Sequence, residues 1–167
     1  MTPLASRTLA TPVAIGAIAL LVINDHVLKS AYPGLVTGKL SDIAGMIFFP
    51  LLLAAACEQL GLRRGMKTVV AAACMTAIVF TAIKLSASAG DLYRVGLALA
   101  QWPFRAAHAL FEGGRLPAVG HAQLTADPTD LVALGALAIP LVLAKRTVAT
   151  PSARLLHVRF EEPRTAR

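Results

Sequence analysis

The chain has 167 residues, the length of one domain, and 56% of them are hydrophobic against only 15% charged, a balance that excludes an ordinary soluble fold. Its formal charge of +7 comes from lysines and arginines that flank apolar blocks or lie near the C-terminus. No basic stripe interleaved with aromatics accompanies them, so nucleic acid is excluded as a partner. The two cysteines, Cys57 and Cys74, fall inside apolar runs at no zinc-ligand spacing; they read as small buried apolar residues, and no disulfide framework, metal or cofactor is expected.

The first apolar block follows Arg7 and resembles the charged and hydrophobic regions of a signal peptide. It leads straight into Asn24-Asp25-His26 with no small-x-small cleavage site, so an uncleaved anchor over residues 9–27 is expected. Continuing that helix to Lys29 would set Asp25 and Lys29 at i, i+4, where they can pair. Tyr32-Pro33-Gly34 then makes a turn.

A second span is expected over residues 39–57, with Thr37 or Ser41 as its N-cap and Pro50 as a kink. Lys39 and Asp42, at i, i+3, share a face. Gly38 suits the turn before this span, and Gly45 suits close helix packing. Glu58, Arg63, Arg64 and Lys67 read as a short connecting loop.

The third span, residues 67–84, is continuous and apolar apart from two threonines, and it is bounded by snorkelling lysines. It rises about 27 Å, enough for one crossing. Residues 93–111 are partly apolar but interrupted by Arg94, Gln101, Pro103, Arg105 and His108. With Tyr93 and Trp102 suited to headgroup level, they read as an interfacial or re-entrant amphipathic helix. Asp127-Pro128-Thr129-Asp130 carries the signature of a helix start, with both aspartates in capping roles. It opens a fourth span over residues 129–145, and a basic tail follows over residues 149–167.

The expected fold class is therefore all-α, an integral membrane bundle of four transmembrane helices plus one interfacial helix. Residues 1–148 form the polytopic domain. Arg7, the Arg63, Arg64 and Lys67 loop, and the tail with Lys145, Arg146, Arg154 and Arg159 place both termini in the cytoplasm of a bacterial-type inner membrane, with anionic lipid headgroups as partners.

Four crossings leave two connections on the outer side, which then holds Asp25, His26, Lys29, Lys39, Ser41, Asp42 and Lys84, together with Asp91, Arg94, His108, His121, Asp127 and Asp130. Ionisable groups at membrane depth are costly unless they are paired or functional. The first seven are the candidate site. Asp42, with Lys39 and with Lys29 or Lys84, reads either as an ion-pair network closing the bundle or as a pocket for a phosphate or carboxylate group. Ser41 beside Asp42, with His26 upstream, supplies the residue types of a nucleophilic triad, but such triads are defined by geometry, and no G-x-S-x-G, H-E-x-x-H or P-loop pattern occurs. The leading expectation is a pocket that binds, senses or conducts a small solute, ion or lipid headgroup. Alternatives are a small lipid-modifying intramembrane enzyme and an accessory subunit of a membrane complex. A carrier needs a pocket reaching the bilayer midplane, a lipid enzyme needs a lateral opening at headgroup depth, and an accessory subunit needs no pocket.

Overall fold

The computed structural model describes residues 3–62, 64–120, 124 and 127–149. Arg63, His121 and the tail beyond Ala149 lie outside the described residues. Within them the chain is all-helical, and four helices are long and apolar enough to cross a membrane: α2 (Pro12–Ala31), α3 (Leu35–Gln59), α4 (Met66–Leu85) and α6 (Pro128–Ala149). A short α1 (Leu4–Leu9) precedes them, and α5 (Ala87–Phe111) stands between α4 and α6.

The separate α1 ends where Thr8 and Thr11 turn their hydroxyls onto the Leu4 and Thr8 carbonyls, at 2.9 and 2.7 Å. Pro12 then begins α2, a first-turn position where the missing N–H costs nothing. On α2 the buried residues are Ala14, Ala17 and Asn24, one stripe at helical spacing whose alanines let it approach α3 closely. From Asn24 to Leu28 the helix widens into a π-helical turn before closing with Lys29–Ala31.

Only Tyr32, Pro33 and Gly34 separate α2 from α3. Because α3 starts directly after them, Thr37, Gly38 and Ser41 sit inside the helix rather than at its cap or in a turn. Thr37 instead donates its hydroxyl to the Tyr32 and Gly34 carbonyls, at 3.1 and 3.0 Å. α3 is the central helix and packs against α1, α2, α4 and α6. It runs on through Pro50, which is fully buried among these neighbours; proline lacks the N–H for the Met46 carbonyl.

The long helices alternate in direction. At one end Ala5, Ala14, Leu51, Ala54, Val69 and Ala144 form the apolar core, in which small side chains set short interhelical distances. Glu58, expected in a loop, lies in the last turn of α3 and is fully buried there. Its two carboxylate oxygens accept the Ala5 amide at 2.9 Å and the Gly65 amide at 3.2 Å. It thereby ties α1 to the α3–α4 turn, where Gly61 and Gly65 take positive φ. Cys57 is half-buried, whereas Cys74 is exposed on the outer face of α4 rather than in the core.

Ser86, in extended conformation, breaks α4 from α5 and accepts the Ala89 amide at 3.3 Å. That cap starts α5 six positions before residue 93. Arg94, Gln101, Arg105, His108 and Glu112 share one face at i, i+7, i+11, i+14 and i+18, while Leu92, Val95, Leu99 and Leu110 share the opposite, exposed face. The following segment doubles back along the polar side: Trp102 Nε1 donates to the Pro117 carbonyl at 2.9 Å and Arg94 Nη2 to the Leu124 carbonyl at 2.8 Å. α6 begins at an Asp127 cap and is 3-10 from Pro128 to Leu137, then α-helical. Three residues per turn put Asp130 and Ala133 in line, both buried against the bundle.

Candidate functional site

At the end of the bundle opposite Glu58, four elements bring their polar residues together. The π-turn of α2 aims Asn24 at α3, where its Nδ2 donates to the Thr37 carbonyl and to Ser41 Oγ, each at 2.6 Å. Asn24 is fully buried, and its Oδ1 has no hydrogen-bond partner among the described residues. Ser41 in turn donates to Asp25 Oδ1 at 2.6 Å, and the same oxygen meets Lys29 Nζ at 2.7 Å.

A second chain of charges joins α3, α4 and α6. Lys84 Nζ lies 3.0 Å from Asp42 Oδ2 and 2.6 Å from Asp130 Oδ2. The other oxygen of Asp130 takes Lys39 Nζ at 2.9 Å, and that ammonium also donates to Thr129 Oγ1 at 2.7 Å. The Lys84 side chain is 6% exposed, so this lysine turns into the bundle rather than snorkelling. Its Nζ also stands 5.3 Å above the Phe80 ring. An alternating series, Asp42–Lys84–Asp130–Lys39, thus leaves no buried charge alone.

The sequence candidates divide accordingly. Asp25, Lys29 and Ser41 form one group; Lys39, Asp42 and Lys84 form the other. Lys39 and Asp42, neighbours on α3, do not pair with each other, because each reaches a different helix. His26 stands apart: it is exposed, with Nδ1 3.0 Å from the Val22 carbonyl of its own helix. Ser41 therefore has no imidazole as a hydrogen-bond partner among the described residues. Among the described residues no group of three His, Cys, Asp or Glu side chains is arranged to hold a metal ion.

Asn24 and Asp130 are members the sequence reading passed over. Asp127 does cap α6, accepting the Thr129 amide at 2.8 Å, and that hydrogen bond holds its carboxyl below the usual value. Asp130 is a bridging carboxylate instead, because the 3-10 turn faces it toward α3 and α4. The signal available was its place three residues after a cap, on the face that Ala133 and Ala136 continue toward the core.

Beside these charges lies a half-open cavity of about 540 Å³ between α2, α3 and α4, with Tyr93 and Leu124 at its margin. Asp25, Ser41, Asp42 and Lys84 line one end. Beyond Gly45 the wall is apolar apart from Thr76, whose hydroxyl donates to the Ala72 carbonyl, with Met46, Phe49 and Leu53 from α3 and Met75, Val79 and Phe80 from α4. From Asp42 to Leu53 the helix rises about 16 Å. Nothing lies within 4 Å of a Cβ added at Gly45, so this glycine marks open cavity wall and not a tight helix crossing.

Comparison with protein-family models, with curated proteins and with solved structures finds no match to this chain. The functional reading rests on the geometry alone.

Proposed function

We propose that this chain is a small multi-pass membrane protein whose cavity binds a single-chain or acyl-bearing amphiphile, with the headgroup at the Asp25, Ser41, Asp42 and Lys84 end. The observation that carries this reading is the polarity gradient along one cavity. Charged and hydroxyl groups cluster within the outer turns of α3 and at the end of α4, and an apolar groove follows from them toward the middle of both helices. Its volume is within the range of ligand sites, about 300–1,000 Å³. A small polar solute would find no partner on the apolar wall, whereas an acyl chain matches that wall and leaves its headgroup among hydrogen-bonding partners.

Orientation follows from charge. Arg7, Arg64, Lys67, Lys145 and Arg146 gather at the end that holds Glu58, so that end faces the cytoplasm of a bacterial-type inner membrane and its anionic headgroups. The cavity's polar mouth then opens at the outer leaflet. The apolar face of α5, with Leu92 74% and Leu110 62% exposed, lies in that leaflet's interface. The presence of a cavity disfavours the accessory-subunit reading. His26 is exposed and bonded to its own helix while Asp42 and Lys39 are held in ion pairs, which supports a binding role over acid–base chemistry.

The test uses a hexadecyl alcohol carrying a photoreactive diazirine at its chain end, added to the full chain in dodecyl maltoside micelles. The expected labels fall on residues 46–53 and 75–80, and Gly45→Leu, which projects a side chain into the groove, reduces them at least about fivefold. Labelling spread evenly over the outer helix faces, or unaffected by the substitution, refutes the cavity as a binding site.

A further inference from the structure

The inference rests on the amphiphile reading and concerns which headgroup the cavity accepts. Of the three charged side chains in the cavity wall, Asp25 and Asp42 are acidic and Lys84 is the one base. Lys84 is already committed. Two of its contacts are carboxylates on two other helices, at 3.0 and 2.6 Å, and its ammonium also lies over the Phe80 ring. Turning it toward a phosphate would weaken its bond to Asp130, which Lys39 also holds, or to Asp42, which no other described cation pairs with. Lys29 is paired with Asp25 at 2.7 Å and Lys39 is held by Thr129 and Asp130, and neither lines the cavity.

The acceptors are in the opposite condition. On Asp42 only Oδ2 is engaged by another described side chain, and on Asp25 only Oδ1. A carboxylate oxygen accepts two hydrogen bonds, so the wall has acceptor capacity to spare and its ammonium donors are spoken for. Phe48, Phe49, Phe80 and Tyr93 contribute rings to the same wall, and ring faces favour cations over anions.

We propose that the cavity selects amphiphiles with a protonated amine headgroup, the ammonium seated between Asp42 and Asp25, over those with a phosphate or carboxylate. An alkylammonium offers donors to the carboxylate oxygens that no described side chain engages, and it does so without disturbing the Lys84 bridge. The overall charge of +7 works the other way, drawing anions to the protein surface, so a preference for ammonium reports on the site and not on the bulk field.

The experiment displaces the photoreactive hexadecyl alcohol from the full chain in dodecyl maltoside with either hexadecylamine or hexadecyl phosphate, two competitors of equal chain length. Hexadecylamine is expected to reach half-displacement at a mole fraction about tenfold lower than hexadecyl phosphate, the ratio of one added charge-assisted hydrogen bond. Asp42→Asn should bring the ratio near one, and Asp42→Glu should keep most of it. Where Asp42→Asn does not give a monodisperse protein, Asp25→Asn provides the same readout. Equal displacement by the two competitors, or a stronger effect of the phosphate, overturns the headgroup assignment and leaves the cavity standing. If the alcohol does not label the cavity at all, both readings fall together.

Discussion

Replacing Lys84 by methionine tests the charge bridge directly. The side chain keeps its length and apolar stem, while two contacts to carboxylates on separate helices, at 3.0 and 2.6 Å, disappear. Hydrogen bonds to charged groups each contribute about 1.5–3 kcal/mol, and removing one partner of a buried pair costs roughly 3–5 kcal/mol. Asp42 is 23% exposed and Asp130 11%, so solvent screens part of the exposed charge and the lower end of that range applies. The expected loss is about 3 kcal/mol, or roughly 10 °C in Tm for a chain of this size. Circular dichroism at increasing temperature in dodecyl maltoside measures it. Asp130→Asn alone should cost about 2 kcal/mol, since Asp42 still holds Lys84, and the double variant should cost at least about 1 kcal/mol less than the sum. A Lys84→Met protein within about 0.5 kcal/mol of the parent, or additive single effects, would mean that the bridge contributes nothing net.

Glu58→Gln should loosen the other end of the bundle. One amide of Ala5 or Gly65 would face an NH2 group, an unsatisfied donor costing about 1–3 kcal/mol, and hydrogen exchange over residues 4–9 should speed up; unchanged exchange there contradicts the tie. The Asp127 cap carries a pH dependence of known sign. Its carboxyl lies below the ordinary 3.8 because the Thr129 amide donates to it, so its contribution is present above that value and is lost as pH falls through the lowered one. The Thr129 amide resonance should therefore titrate with a midpoint below 3.8, and a midpoint at or above it would show the cap absent.

The number of long apolar helices was legible in the sequence because continuous hydrophobic runs of span length have few soluble explanations. So was the suspicion attached to Asp25, Lys29, Lys39, Asp42 and Lys84, since ionisable residues at the edge of such runs require partners. Which partners they take was not legible. Lys39 and Asp42 share a helix face by spacing, yet they diverge because α4 and α6 each present an opposite charge within reach. Asp130 read as a capping acid because Asp-Pro-Thr-Asp is a strong local signal, and a 3-10 turn then rotated it inward, which no local pattern announces. Glu58 read as part of a basic loop. Its burial depends on an amide 53 residues away in sequence, a contact that periodicity cannot show. The cavity was equally hidden, because Gly45 is as suited to a tight crossing as to an open wall.

The same Glu58 contact orders events in time. α1 is made first, but the carboxylate that receives its Ala5 amide is added 53 residues later. At synthesis rates of roughly 5–20 residues per second, that delay is about 3–10 s. During it α2 can form while α1 has no fixed position, and the finished α3 then draws α1 back against the end that carries Glu58. The carboxylate acts as a latch that closes only after two long helices exist, so docking of α1 reports that the first hairpin has been completed.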